Sequence, residues 1–183
     1  MPRHLSMDEL KAGLPHILES PADNGSVDAI IVRPASEQRL DVETCNVSLA
    51  GGIEGDHWAK GCWKITDDGG PHPDVQICIM NSRCINLIAG ERSNWAPAGD
   101  NLFVDMDLAP SNLPPGQRLQ VGNAILEITD TPHKGCPKFV NRYGRDAVLF
   151  VNMGDGDTYK LRGIYARVVQ DGAISVGDTL VKI

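Results

Sequence analysis

No Cys-x-x-Cys pair occurs in this sequence, and none of its cysteines and histidines cluster at zinc-finger spacing, which excludes a structural zinc site of that kind. The five cysteines, Cys45, Cys62, Cys78, Cys84 and Cys136, are odd in number and widely separated. A disulfide framework is therefore not expected, and a reducing compartment is. No apolar run approaches the ~20 residues that a membrane helix needs. The first residues carry Asp8 and Glu9 where a signal peptide would have an apolar core. A cytoplasmic protein with no membrane partner is the expectation. Positive charge is also scarce: 17 Lys and Arg stand against 24 Asp and Glu, a net charge of −7. A broad nucleic-acid surface is excluded on that ground, and an anionic ligand would have to meet a local cluster of Lys and Arg. Flavin and iron–sulfur motifs are absent.

What is present is ordinary for a globular chain. The 183 residues suffice for one domain with a core, and 42% are hydrophobic and 22% charged. Residues 1–26 read as a helical leader packed on the outside. Ser6 is its N-cap, Glu9 the capping-box partner, and Leu5 and Leu10 the staple, with Gly13 and Pro15 breaking or kinking the helix. From Val27 the chain is rich in short strands. Val27–Pro34 is apolar on both faces, which predicts a central strand. Strands are also expected at 40–42, 75–80, 102–104, 147–151 and 164–169. Ser82 is expected to cap a helix that Gly90 ends, with Arg83 either solvated or near an anion at the helix start. Gly122-Asn123 predicts a two-residue type II′ hairpin within Leu119–Ile128. The last ten residues, ISVGDTLVKI, repeat the pattern of that hairpin, LQVGNAILEI. Both could be matching corners of one closed sheet, or two convergent hairpins. Residues 153–158 read as an exposed acidic loop. Many short strands with few, brief helices predict a mainly β, barrel-like fold.

Two stretches carry chemistry. In Thr131–Gly144, Pro137 suits the first turn of a short helix and Gly144 its end. Phe139, Val140 and Tyr143 fall on its buried face. Cys136 then occupies the N-cap, where free N–H groups favour a thiolate, with His133 and Lys134 just upstream. Such a thiolate is a soft metal ligand or a nucleophile. The plainer alternative is a small buried apolar residue. The second stretch is Ala50–Trp58, a tight glycine loop ending in Asp56 and His57. It is either a ligand-facing loop that allows close backbone approach or a turn with a surface histidine. Trp58 and Trp63 flank it, as pocket walls or as a cover for the core. Pro71-His72-Pro73 reads as a rigid connector, and Cys78 as a strand residue in the core.

Taken together, Gly52-Ile53-Glu54-Gly55-Asp56-His57, Gly99-Asp100-Asn101-Leu102, Leu113–Leu119, Gly122–Glu127, Pro132–Phe139, Arg142–Gly144, Arg162–Val168, Gly172 and Gly177-Asp178 resemble the MOSC domain, the domain at the C-terminus of molybdenum cofactor sulfurases. The resemblance covers residues 27–183 and is nearest to small stand-alone bacterial members, without a pyridoxal-phosphate sulfurase domain or a C-terminal iron–sulfur domain. It implies a MOSC-type β-barrel-like fold. It also implies that Cys136 binds the molybdenum of a molybdopterin cofactor or carries sulfur, and that no pyridoxal phosphate is used. Relatives such as the mitochondrial amidoxime-reducing component reduce N-hydroxylated compounds. The larger reductases have further N-terminal segments that help hold the pterin, where this chain has a short leader.

On that resemblance the first function is a molybdenum-dependent reductase of N-hydroxylated compounds with Cys136 as metal ligand. His133 and His57 are candidate proton donors. Arg142, Lys138 and Arg167 are candidate anchors for the cofactor phosphate, joined by Lys134 as a cofactor-binding candidate. Gly55, Asp56 and Asn101 belong to the loops expected near the cofactor. The plainer reading of each cation is a surface charge. The partners would be a small-molecule substrate and a separate electron-donor reductase. The second function is a sulfur carrier, with sulfane sulfur held as a Cys136 persulfide supplied by a cysteine desulfurase. The third is a non-catalytic cofactor-binding module.

Overall fold

The computed structural model describes residues 2–183. Helix α1 (Met7–Leu18) starts at Ser6, whose side chain accepts the Glu9 N–H while the Glu9 carboxylate accepts the Ser6 N–H, closing the capping box. Pro15 lies inside the helix, within the last turns. Strands β1 (Gly25–Val32), β2 (Leu40–Val42), β3 (Thr44–Ser48) and β4 (Gly52–Ile53) follow, then the single turn α2 (Trp58–Gly61). Next come β5 (Ile77–Asn81), α3 (Ser82–Ala89), β6 (Leu102–Asp105), β7 (Arg118–Val121) and β8 (Ala124–Ile128). Helices α4 (Pro137–Tyr143), α5 (Arg145–Asn152) and α6 (Asp155–Thr158) run together, and β9 (Ile164–Gln170), β10 (Gly172–Ser175) and β11 (Thr179–Lys182) complete the chain.

Seven strands close a barrel in the order β11-β7-β8-β9-β5-β6-β1, and β1 pairs back onto β11 through Gly25–Leu180 and Ser26–Thr179. All its pairings are antiparallel except β5–β6. Strand β2 extends β1 outside the ring, and β10-β3-β4 form a second, small sheet. The central position expected for β1 is explained by its three partners, β11, β6 and β2.

Two apolar clusters sit on the two faces of the barrel wall. Val27, Ile30, Leu102, Val104, Leu126 and Ala166 belong to the interior cluster. Ala29, Ile31, Met80 and Phe103 face outward into a second cluster with Leu10 of α1, Ile85 of α3, Phe139 and Tyr143 of α4 and Phe150 of α5. Leu10 is fully buried there, so the leader helix shares a core with the barrel's outer wall. A bulge between Val27 and Ala29 shifts the register against β6. It puts Val27 on the same side as Ile30, which strict alternation would not do.

Three local expectations are corrected. Residues 147–151 are helical rather than extended. Ala147, Phe150 and Val151 share one buried face at helical spacing, and Asp146 accepts the Met7 N–H, so packing against α1 overrides the β-preference of Val148 and Val151. The acidic 153–158 segment contains α6. The cap of α3 is Asn81, one residue before Ser82; its Oδ1 accepts from the Cys84 N–H at 2.9 Å and its amide donates to Ser20 and Met106. Arg83 is held by both oxygens of Asp105 and by the His16 carbonyl.

The hairpin at 119–128 forms with Gly122 at φ +57 and Asn123 outside the positive-φ residues, as a type II′ turn requires. Its look-alike at the end of the chain does not fold back on itself. β10 pairs with β3 in the small sheet, whereas β11 pairs with β7 and β1 in the barrel, so Val176–Asp178 is a corner between two sheets.

Candidate functional site

Loops at one end of the barrel surround a cavity of ≈ 130 Å³, lined by residues that include Arg33, His57, Trp58, Cys78, His133 and Tyr165. Five separate segments supply these side chains, so the site is assembled only by the fold.

Arg33 and Asp56 form its first fixed element. The Asp56 carboxylate is 1% exposed and accepts from Arg33 Nε (2.8 Å), Nη2 (3.0 Å) and backbone N–H (3.0 Å). It also accepts from Asn101 Nδ2 at 3.0 Å and the Trp58 N–H at 2.9 Å. Burial resists its ionisation, but the Arg33 guanidinium and these N–H donors hold the carboxyl below the usual range. Arg33 Nη1 continues to the Gly99 carbonyl (3.0 Å) and the Cys78 sulfur (3.4 Å). Burial works against its charge, and the facing sulfur and Asp56 restore it, leaving Arg33 above its ordinary value. For Cys78, burial pushes the thiol up despite Arg33. Asn101 is wholly buried; its Oδ1 accepts from the Cys78 N–H and its amide also donates to the Ile31 carbonyl. Asp56 and Asn101 thus spend their hydrogen bonds inside the protein, fastening β1, β5 and the glycine loop together.

The second fixed element is Arg162 on Asp100, with Nη1 at 2.8–2.9 Å from both carboxylate oxygens. Both side chains are buried, and Asp100 keeps Arg162 charged against burial. The guanidinium lies 5.0 Å from the centre of the Phe139 ring of α4, tying that helix to the wall. His133 packs beside this pair. Its imidazole is 7% exposed, stacks on Tyr165 at 4.3 Å, and brings Nδ1 to 3.6 Å from Asp100 without a hydrogen bond. Burial first, and the positive charges of Arg162 and Arg33 after it, lower its pKa well below the ordinary value, so the ring is neutral. Gly163 makes room for it. A Cβ there would lie 2.2 Å from the Ile79 carbonyl and 3.3 Å from His133 Nδ1, and φ is +104.

His57 faces the same cavity, with Nδ1 at 2.8 Å from the Arg33 carbonyl. Since a carbonyl only accepts, Nδ1 carries the proton of that bond. Gly55, at φ +80, makes the turn that delivers Asp56 and His57 but lies outside the cavity wall.

Cys136 is the N-cap of α4, with Pro137 next and Gly144 at the far end. Of the five free cysteines it alone is exposed. It is not part of the cavity wall, which His133 reaches three residues earlier. Lys138 and Arg142, in the first and second turns of α4, both pair with Glu37, and Arg142 also donates to the Pro97 carbonyl. Arg39 stands among them, with a buried Nε that has no partner. The 97–99 turn touches both this basic rim and Arg33. Lys134 instead pairs with Asp157, and Arg167 with Glu127 and Asp74; neither lines the cavity.

The structure therefore brings His57 and His133 together, sets Asp56 and Asn101 beneath them, and places Lys138 and Arg142 with Cys136 on α4. Sequence reading gave no site role to Arg33, Arg162, Asp100 or Tyr165, although the last three lie in the stretches that carry the resemblance, and it left Cys78 in the core. The signal available was an arginine ending an apolar strand, at Arg33, and another just before one, at Arg162, where a charge can persist only if paired.

A family model for the MOSC domain matches residues 66–181. No curated protein matches the chain. Among solved structures, the YUAD protein from Bacillus subtilis superposes with a TM-score of 0.59 at 19% identity, covering 86% of this chain and 94% of that one. YiiM from Escherichia coli gives 0.54 at 19%, covering 86% and 69%, and YiiM from Geobacillus stearothermophilus 0.57 at 18%, covering 87% and 75%. At these identities the likeness is one of fold.

Proposed function

The chain belongs to the MOSC domain family, and from that premise we propose that it binds a molybdenum cofactor with Cys136 as the protein's metal ligand and reduces N-hydroxylated compounds. The observation that carries the reading is the position of Cys136. It is the exposed thiol of the set, its side chain makes no cap hydrogen bond, and it shares a helix with the basic rim.

The residues present fit such a group. Among the described residues no three His, Cys, Asp or Glu side chains converge as a metal cage. A metal here would take one soft thiolate from the protein and the rest of its ligands from the cofactor. Lys138, Arg142 and Arg39 would receive the cofactor phosphate; Arg39 Nε is a donor still without a partner. When bound, molybdenum supplies two-electron redox chemistry. The protein's part is to orient the substrate and manage protons: cleaving N–O to amine and water consumes two electrons, from a separate reductase, and two protons. His57 can relay a proton at Nε2, the nitrogen not held by the Arg33 carbonyl. His133, kept neutral by its surroundings, acts as a hydrogen-bonding wall and is a poor proton reservoir.

The exposure of Cys136 favours a second reading, sulfur transfer, because a cysteine desulfurase would need direct access to the thiol. Metal and pterin analysis of protein made in a cofactor-competent host decides between them. The first reading expects stoichiometric molybdenum that is lost in Cys136→Ala. Cofactor-free protein that gains sulfane sulfur at Cys136 from a desulfurase overturns it in favour of the second.

A further inference from the structure

Glu37 sits where an anion would. Its two carboxylate oxygens are divided between the two cations of α4: Oε1 accepts from Lys138 Nζ at 2.6 Å, and Oε2 accepts from Arg142 Nη2. These donors, Lys138 first, hold the carboxyl below its ordinary range, so at neutral pH it is ionised and engaged. Among the described residues, no other hydrogen bond joins residues 34–39, the connection between β1 and β2, to α4. Glu37 makes this contact from a strained backbone. Its φ is +63, in the left-handed region that disfavours a residue with a Cβ, and the Gln38 N–H donates to the Ala35 carbonyl at 3.1 Å to close the turn.

The cations do not depend on Glu37 for their place. Arg142 Nη1 donates to the Pro97 carbonyl, and the next two carbonyls of that turn, Ala98 and Gly99, accept from Arg162 at 3.2 Å and Arg33 at 3.0 Å. Arg142 is thus fastened to the same turn as the buried arginines. Arg39 adds a third positive charge. Burial first, and then the charges of Arg33 and Arg142, lower its pKa, and its Nη1 donates only to the Gln38 carbonyl at 2.6 Å. Three cations on this rim share one carboxylate, which leaves an excess of positive charge. The positive side is fixed and the negative side is loosely tethered.

We propose that Glu37 is a displaceable stand-in for a dianionic phosphate group: a phosphate monoester takes over Lys138 and Arg142, and the 34–39 connection lifts off α4 to admit it. A dianion brings one more charge than the carboxylate it displaces, and it has oxygens enough to engage both cations at once. This deepens, and rests on, the reading of the rim as the seat of the cofactor phosphate; it does not depend on molybdenum or on Cys136 as its ligand. Glu37 then sets a threshold, because the apparent affinity is the intrinsic one reduced by the fraction of chains in which its carboxylate is off.

The test is a titration of ¹⁵N-labelled, metal- and pterin-free protein with methyl phosphate, followed by the backbone N–H signals of Glu37, Gln38 and Lys138. Ionic strength is held constant, at about pH 8, where a monoester with a second pKa of ~6 is a dianion. All three signals should move together and saturate. Glu37→Gln should bind methyl phosphate about three- to tenfold more tightly, since two exposed ion pairs hold the carboxylate on by roughly that factor. Lys138→Ala, at an exposed side chain, should bind it about three- to tenfold more weakly. Dimethyl phosphate, a monoanion, brings no more charge than Glu37 and should bind the natural chain at least about tenfold more weakly. The proposal is overturned if Glu37→Gln binds no more tightly than the natural chain, or if Lys138→Ala binds unchanged. It is equally overturned if the Glu37 and Gln38 signals stay in place while Lys138 saturates, or if dimethyl phosphate binds as tightly as methyl phosphate. No saturable response in either the natural chain or Glu37→Gln overturns the phosphate seat as well; saturation that Glu37→Gln leaves unchanged overturns the stand-in alone.

Discussion

The wall of the cavity and the rim that bears Cys136 use the same residue types in opposite ways. In the wall, Arg33 meets Asp56 and Arg162 meets Asp100 with little or no solvent, and Asp56 also accepts from the Asn101 amide and the Trp58 N–H. On the rim, Glu37 takes Lys138 and Arg142 while remaining half-exposed. Water can replace the rim pairs at small cost, whereas a wall charge stripped of its partner has nowhere to go. Buried pairs here set geometry; exposed pairs leave their cations within reach of solvent.

The strongest test of this contrast is to remove one wall partner. Asp56→Ala leaves Arg33, Asn101 and two backbone N–H groups unmatched, and is expected to cost about 3–5 kcal/mol in denaturant unfolding. A loss below about 1 kcal/mol would mean that the wall behaves like the rim.

A second, smaller effect is set by pH. His133 has its folded pKa depressed below the unfolded value of ~6.5. Its neutral form is thus favoured in the fold. The stability this gives is fully present above pH ~6.5 and is lost as pH falls towards the folded value, because the unfolded chain takes up a proton that the native chain refuses. Between pH 6.5 and 5 the natural chain should lose about 1–2 kcal/mol more than His133→Gln, at up to ~1.4 kcal/mol per pH unit. Parallel pH profiles for the two proteins would contradict a buried neutral ring. Asp56, with its carboxyl held low, works in the same direction at more acid pH: its contribution is present above the ordinary carboxylate range and fades as pH drops through the folded value.

The rim should respond least. Glu37→Gln is expected to change stability by about 0–1 kcal/mol, and Cys136→Ala by no more than about 0.5 kcal/mol. Native alkylation followed by mass spectrometry should mark Cys136 first, well ahead of the buried Cys45, Cys78 and Cys84. Equal labelling of Cys78 and Cys136 would dissolve the distinction between wall and rim.

What could be read from residues alone follows the same division. Helix α4 was legible because its signals are local, Pro137 at the start and Gly144 at the end. So was the capping box at Ser6 and Glu9 and the type II′ turn at Gly122. Asp56 and Asn101 were noticed, but their work was not, since all but one of their partners lie 23 to 70 residues away in sequence. Helix α5 was misread because Ala147–Val151 has β-preferring residues and its helical face is defined only by contact with α1 and α4. The two hairpin-like segments differ for a similar reason. Near-identical local patterns feed one strand back on its neighbour and send the other to a different sheet, and only the available edges decide which.

The seam where β1 meets β11 also sets a condition for closing the ring. β11 follows every other barrel strand in the chain, yet it pairs with both β7 and β1. Until it pairs, β7 and the Gly25–Ser26 end of β1 present open edges, and the β1–β11 contact spans a long sequence separation. The ring therefore cannot close until Thr179–Lys182 is in place.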